Sequence, residues 1–89
     1  PKGRVYRVTA DGAGTPLYTS ASAHVMALLP DGDRLIVGTE GPGRVFRLDA
    51  DGRPFLLLDT ALQEVRALRR DGQGRLYVVA QAALPVAPQ

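Results

Sequence analysis

The fold is decided by residues 24–59, which read HVMALLPDGDRLIVGTEGPGRVFRLDADGRPFLLLD. This stretch contains four short apolar segments, and halves of it recur on either side. The pentad Gly3–Arg7 returns with one aromatic exchanged as Gly43–Arg47, and Val25–Leu28 returns in part as Val65–Leu68. Both recurrences have the same offset along the chain. It is a period of about 40 residues, and a fixed period in this range indicates a repeat architecture.

Asp-Gly pairs punctuate the chain at even intervals of half a repeat, at Asp11-Gly12, Asp31-Gly32, Asp51-Gly52 and Asp71-Gly72. Asp-Gly between apolar segments is a strong signal for a two-residue hairpin turn. Glycine takes a positive φ without strain, and aspartate tolerates it better than most residues. We therefore predict that each pair closes a hairpin through a type I′ turn.

The segments beside these turns are short and rich in Val, Ile, Leu, Tyr and Phe, which favours strands. Two of them, Leu35–Val37 and Phe55–Leu58, are continuous apolar runs, which is typical of strands buried on both faces. Eight strands are predicted, at residues 4–9, 16–19, 25–29, 34–39, 44–49, 54–58, 65–69 and 75–80.

One segment, Asp59–Arg70, could instead form a helix, because it holds good helix formers behind a start that resembles a capping box. Its equivalent one repeat earlier, Thr19–Pro30, contains two serines and ends in proline, which makes a poor helix. Equivalent positions in a repeat share a fold, so we predict a loop followed by a strand in both segments.

The predicted fold class is all-β. A period of about 40 residues suits the four antiparallel strands, a to d, of one β-propeller blade. The strand order is then c-d, a-b-c-d and a-b, a two-blade unit over residues 1–81, followed by an Ala/Pro-rich tail or linker over residues 82–89. The first and last hairpins are the two halves of one missing blade.

Hairpins alone are marginal in water, and open strand edges recruit partners. The open edges are expected at residues 4–9 and 75–80. We expect them to be completed either by the remaining blades of a longer parent chain or by further copies in a head-to-tail ring. The expected partners are therefore copies of this chain or the rest of a parent propeller.

Composition argues against several other classes of partner and site. The formal net charge is only +2, and the arginines form no basic stripe interleaved with stacking aromatics, so nucleic-acid binding is not expected. No apolar stretch approaches the roughly 18 or more residues of a membrane helix, so no membrane partner is expected. The chain has no cysteine, which excludes disulfides and thiolate metal sites.

Residues 31–52, which read DGDRLIVGTEGPGRVFRLDADG, resemble bacterial β-propeller repeats of the NHL-like, WD-repeat-like and regulator-propeller kinds. The shared pattern is Asp-Gly, a strand ending in Val-Gly-Thr, a second strand with Gly-x-Val-x-Arg, and a further Asp-x-Asp-Gly. Residues 71–78 match its first half. The resemblance implies propeller blades and nothing specific about function. The chain departs from true WD repeats, because it has no tryptophan, and it lacks the Asp-box of sialidase-type blades.

The candidate site residues are His24 and its repeat equivalent Glu64, both in links that precede an inner strand. The propeller resemblance places such links near the mouth of a central channel. A histidine there could act as a metal ligand or a general base. The alternative is that both are ordinary polar link residues, and two residues are too few for a site, so no catalytic residue, metal or cofactor is predicted.

Other polar groups carry structural interpretations that outweigh functional ones. Asp49–Gly52 looks faintly like a calcium loop but lacks the remaining ligands of an EF-hand, so it is read as a turn. Ser20 and Ser22 lie close to His24, but no strained elbow of a serine hydrolase accompanies them. Arg7 and Arg47 are equivalent, and they could bind an acidic ligand, pair with acidic neighbours, or lay their stems along the sheet.

The function predicted from these observations is that of a non-catalytic structural and interaction scaffold. Two alternatives stay open at this point. One is a fragment of a propeller enzyme, such as a gluconolactonase-like metal-dependent hydrolase. The other is the sensor domain of a signalling protein.

Overall fold

The computed structural model describes residues 3–20 and 24–82. These residues form eight strands and no helix. In the same part of the chain no helix is long and apolar enough to cross a membrane. The strands are β1 Arg4–Val8, β2 Gly14–Thr19, β3 His24–Asp31, β4 Arg34–Glu40, β5 Arg44–Leu48, β6 Pro54–Asp59, β7 Glu64–Arg70 and β8 Leu76–Gln81.

All strand pairs are antiparallel. β1 and β2 form a separate two-stranded sheet, and β3, β4, β5 and β6 follow one another as a four-stranded meander. β7 and β8 form a last hairpin, which joins the meander where Glu64 of β7 pairs with Glu40 of β4. The predicted all-β class, and the succession of hairpin, four strands and hairpin, are confirmed.

The sequence repeat extends to the irregularities of the strands. The register of β1 with β2 shifts between Val5 and Tyr6, and that of β5 with β6 shifts at the equivalent step, Val45 to Phe46. In the same way the register shifts across Met26 in β3 and across Arg66 in β7. A β-bulge bends and twists its strand. Matching bulges therefore mean that the two halves of the repeat share their curvature as well as their strand order.

The helix alternative for residues 59–70 is wrong. Residues 60–63 form a loop, and β7 runs from Glu64 to Arg70, as predicted for this segment. In its repeat equivalent the strand β3 begins at the matching residue, His24. Most of the predicted tail, residues 83–89, lies outside the described residues, as do residues 1–2 and 21–23.

The prediction of type I′ turns is wrong. In the first turn the N–H of Gly12 donates to the carbonyl of Thr9, and the N–H of Thr9 donates to the carbonyl of Ala13, both at 2.9 Å. The third turn repeats this pattern around Gly52. Only the glycine has a positive φ, 90° at Gly12 and 87° at Gly52. This is the arrangement of a type I turn closed by a left-handed glycine, and the aspartate stays at negative φ.

The second turn differs from these, whereas the fourth repeats their hydrogen bonds around Gly74 rather than around the glycine of its Asp-Gly pair. Asp31 pairs with Arg34, so the two central residues are Gly32 and Asp33, and only Gly32 has a positive φ. In the fourth turn the left-handed residue is Gly74, whose N–H donates to the carbonyl of Asp71. The fourth turn is longer than the second by a single residue. Arg34-Leu35 therefore corresponds to Arg75-Leu76, one position beyond the ordinary repeat offset.

The core lies between the meander and the last hairpin. Ile36, Val45, Val65 and Leu68 form one buried cluster, and Val37 and Leu48 are also fully buried. Gly38 allows the close approach at this junction, because a Cβ at Gly38 would lie 2.5 Å from Cγ1 of Val65. The apolar run at Leu35–Val37 is largely buried, as predicted.

The prediction that the second apolar run is buried is wrong. Phe55, Leu56, Leu57 and Leu58 of β6 were expected to be buried on both faces, but all four are 39–56% exposed. The reason is that, among the described residues, β6 pairs only with β5 and no other strand packs substantially against its faces.

The first hairpin is attached to the meander through side chains and one tight contact. Arg7 donates to the carbonyl of Ala50 at 2.6 Å, and the rings of Tyr18 and Phe46 lie 6.3 Å apart. The carbonyl oxygen of Leu17 sits over Gly52 so closely that a Cβ there would be 2.0 Å away. The turn between β5 and β6 is therefore seated against β2.

Candidate functional site

Four polar side chains form a row across the ends of β3, β4, β7 and β8. The backbone registers place His24 opposite Glu40, Glu40 opposite Glu64, and Glu64 opposite Gln81. Both sequence-predicted residues, His24 and Glu64, belong to this row. The structure brings them together through Glu40, which neighbours both.

His24 and Glu40 form a close pair. Nδ1 of His24 lies 2.5 Å from Oε1 of Glu40, and the His24 side chain is 49% exposed. The hydrogen bond from His24 holds the pKa of Glu40 below its ordinary value of 4.5, with smaller contributions from the Glu64 carboxyl and the positive charge of Arg66. Partial desolvation opposes this shift in the pKa of Glu40.

Glu64 is held on the other side of the row. Nε2 of Gln81 donates to Oε1 of Glu64 at 2.6 Å, and a guanidinium nitrogen of Arg66 lies 3.6 Å from the same oxygen. The Glu64 side chain is only 12% exposed. A buried carboxyl with this many partners is part of the packing between the last hairpin and the meander.

The two pairs are equivalent by repeat, because Glu64 replaces His24 and Gln81 replaces Glu40 at the matching register. Sequence reasoning found one member of each pair and missed the other. The signal for Glu40 and Gln81 was the strand register, which follows from the turns between the strands.

Hydrogen bonds link members of the row, and among the described residues its geometry offers no built metal site. Among residues 3–20 and 24–82 no group of three histidine or acidic side chains is arranged to hold a metal ion. Ser22 lies outside the described residues, so its relation to His24 is not described.

The two equivalent arginines lie elsewhere and have different surroundings. Arg7 caps the carbonyl of Ala50, and Arg47 places its guanidinium carbon 4.9 Å from the centre of the Phe55 ring. The interpretation that their stems follow the sheet applies to Arg47, which is half-buried and stacks on its cross-strand neighbour. Neither arginine forms an ion pair in the described part of the chain.

The aspartates of the turns bind backbone groups. Oδ1 of Asp51 accepts from the N–H of Arg53 at 3.4 Å, and Oδ1 of Asp71 accepts from the N–H groups of Gln73 and Arg75 at 2.9 Å. These are the local bonds by which aspartate stabilises turns. The preference for a turn over a calcium loop is consistent with these contacts.

Replacing His24 by alanine is expected to raise the pKa of Glu40 towards 4.5, because the largest cause of its lowered pKa is removed. A carboxyl with a lowered folded-state pKa contributes stability above its unfolded pKa, and this contribution is lost as the pH falls through the folded value. NMR titration of the Glu40 side-chain carboxyl measures the shift.

The matched control for this titration is Arg66→Ala, which removes the smallest of the causes. We expect it to leave the pKa of Glu40 almost unchanged. An equal shift in both variants would contradict a dominant role for the His24 hydrogen bond.

Comparison with protein-family models, with curated proteins and with solved structures gives no match to this chain.

Proposed function

We propose that the protein is a non-catalytic β-propeller module that acts as a structural and interaction scaffold by offering unfinished sheet edges to partner strands. The observation that carries the proposal is the isolation of the first hairpin. Among residues 3–20 and 24–82, β1 and β2 pair only with each other, and β8 pairs only with β7. One edge of β1 and one edge of β8 therefore have unpaired backbone groups within the described residues.

Exposed apolar side chains at the two ends support an interaction role. Tyr6 and Val8 of β1 are 51% and 67% exposed, and Tyr77 and Val79 of β8 are 52% and 56% exposed. Open strands with apolar side chains are templates for pairing with another chain. Addition of a strand to an open edge is a common mode of protein recognition.

The repeat supplies the second line of support. β1 and β8 are the equivalents of β5 and β4, which pair within the meander. The two open edges thus carry the halves of a junction that the chain already forms once. The partner strands come from further copies or from the remaining blades of a parent chain, and in a ring of copies three chains give six blades and four give eight.

Size-exclusion chromatography with light scattering, run over a dilution series, tests the proposal. We expect a discrete mass of three or more chains that dissociates on dilution. A single-chain mass at every concentration, together with a cooperative thermal transition, would count against this function. Unpaired two-stranded hairpins are marginal in water, so such stability would mean that the edges need no partner.

A further inference from the structure

Three of the open strand edges carry a proline. Pro16 lies in β2, Pro30 in β3 and Pro54 in β6. Proline has no N–H and is confined to strand positions where the ladder needs none. β1 and β8 contain no proline. β7 contains none either; it packs against β3 and β4, and its contact with β3 covers part of both strands.

The hydrogen bonds at the hairpin ends show which way each backbone group points. The carbonyl of Arg75, just before β8, accepts from the N–H of Asp71, and the carbonyl of Gln81 accepts from the N–H of Gln63. The backbone groups of Arg75 and Gln81 therefore point towards β7. Backbone groups alternate in direction along a strand. Leu76, Val78 and Ala80 therefore direct their N–H and carbonyl groups to the open edge.

The backbone groups of β1 alternate in the same way. Thr9 donates to Ala13, and the carbonyl of Gly3 accepts from the N–H of Ser20, so residues with odd numbers face β2. Arg4, Tyr6 and Val8 then face the open edge of β1.

The prolines lie at positions that face outward. Pro16 is opposite Tyr6, Pro54 is opposite Leu48, and Pro30 is opposite Leu35. Each partner directs its backbone groups away from the proline, Leu35 and Leu48 towards each other and Tyr6 towards the open edge of β1. Each proline therefore lacks an N–H only on the outer side of its own strand. The edges of β2, β3 and β6 are thereby blunted, whereas those of β1 and β8 stay able to pair.

The meander supplies the register. Leu35 pairs with Leu48, Ile36 with Arg47, Val37 with Phe46 and Gly38 with Val45. Each β4 residue in these pairs has a repeat equivalent in β8, at the longer offset that relates Arg34 to Arg75. Each β5 residue has a repeat equivalent in β1, at the ordinary offset that relates Gly43 to Gly3. The resulting pairs are Leu76–Val8, Tyr77–Arg7, Val78–Tyr6 and Val79–Val5. The outward backbone groups of Val78 and Tyr6 then lie opposite each other, as those of Val37 and Phe46 do.

We infer that the partner of this module is a second copy of the same chain, with β8 of one copy pairing antiparallel to β1 of the next and Tyr77 opposite Arg7. This inference rests on the proposed function and specifies its partner and register. The copy–copy junction differs from the internal one at one position, where Val79 stands in place of the Gly38 that admits Val65.

Disulfide trapping tests the register, since the chain has no native cysteine. An Arg7→Cys chain is mixed with a size-tagged Tyr77→Cys chain under mild oxidation. Opposite residues of an antiparallel pair have Cα atoms about 4.5 to 5.5 Å apart, within the reach of a disulfide. We expect a tagged heterodimer to form at least about ten times faster than in the control mixture.

The control mixture pairs Arg7→Cys with Val79→Cys, because Val79 has nearly the same exposure as Tyr77 but lies two residues out of register. Diagonal neighbours are about 7 to 8 Å apart, too far for a disulfide. Equal rates in the two mixtures overturn the register. If light scattering shows assemblies but this disulfide does not form, the inference fails and the proposed function stands. Monomers at every concentration would count against both.

A second variant tests the edge itself. Val78→Pro removes an N–H that faces outward and leaves the bonds to β7 in place, and Val78→Ala removes similar packing while keeping the N–H. We expect Val78→Pro, but not Val78→Ala, to yield single chains with the far-ultraviolet circular dichroism of the parent. Assembly of Val78→Pro at the parent concentration would overturn the inference.

Discussion

Replacing Leu68 by alanine is expected to lower the free energy of unfolding by about 2 to 4 kcal/mol. Leu68 is 1% exposed and belongs to the buried cluster with Ile36, Val45 and Val65. Removing its side chain leaves a cavity between the last hairpin and the meander, in addition to the lost burial. For a domain of this size, that loss is a large part of the whole stability. Urea unfolding followed by circular dichroism measures it.

The repeat provides a matched control in Leu28, which occupies the equivalent position in β3 but is 52% exposed. In dilute solution Leu28→Ala is expected to cost less than about 1 kcal/mol, because little apolar area is lost. Equal losses in the two variants would contradict the described difference in burial.

The second large effect is expected from Gly52→Ala, which should lower the free energy of unfolding by about 2 to 4 kcal/mol. Gly52 has a φ of 87°, and a Cβ there would lie 2.0 Å from the carbonyl oxygen of Leu17. The backbone of β2 or of the turn must move to admit it. The first hairpin should therefore loosen from the meander, which hydrogen exchange of β1 and β2 would detect.

Gly74→Ala separates the two causes. Gly74 has a similar φ of 82° and the same place in its turn, but a Cβ there would meet nothing within 4 Å. Gly74→Ala should therefore lower the free energy of unfolding by about 1 kcal/mol, through backbone strain alone. Equal losses of stability in both variants, with unchanged hydrogen exchange in β1, would mean that the contact between Gly52 and Leu17 does not hold the first hairpin in place.

The strand positions could be predicted because two signals agree along the whole chain. Evenly spaced Asp-Gly pairs mark the hairpin ends, and the segments between them are apolar and short. The repeat also resolved residues 59–70, where local propensity alone leaves a helix and a strand equally open. Helix propensity is weak per residue, so tertiary context can override it. The poor helix-forming sequence of the repeat equivalent indicated that it would do so here.

The turn geometry could not be predicted from the same pairs, since Asp-Gly fits several turns with the glycine at different positions. A type I′ turn centred on Asp31 and Gly32 would pair Pro30 with Asp33, whereas the chain pairs Asp31 with Arg34. Cross-strand partners depend on this register. This is why His24 and Glu64 could be named from the sequence while their partners Glu40 and Gln81 could not.

The exposure of β6 could not be predicted from the sequence for a different reason. Four consecutive apolar residues indicate that something covers both faces, but not whether the cover belongs to the same chain. In the described residues β6 is an outer strand, and its apolar side chains lie half in solvent.

The space above Gly12 has a consequence for how growth of an assembly could be stopped. Leu17 covers Gly52, and the repeat equivalents of these two residues are Leu57 and Gly12. Nothing lies within 4 Å of a Cβ built on Gly12. In the head-to-tail arrangement Leu57 of one copy would seat on Gly12 of the next. A Gly12→Ala chain would still offer the open edge of β8, but its first hairpin would bind the preceding copy poorly. A substoichiometric amount of this variant would therefore stop rings from closing.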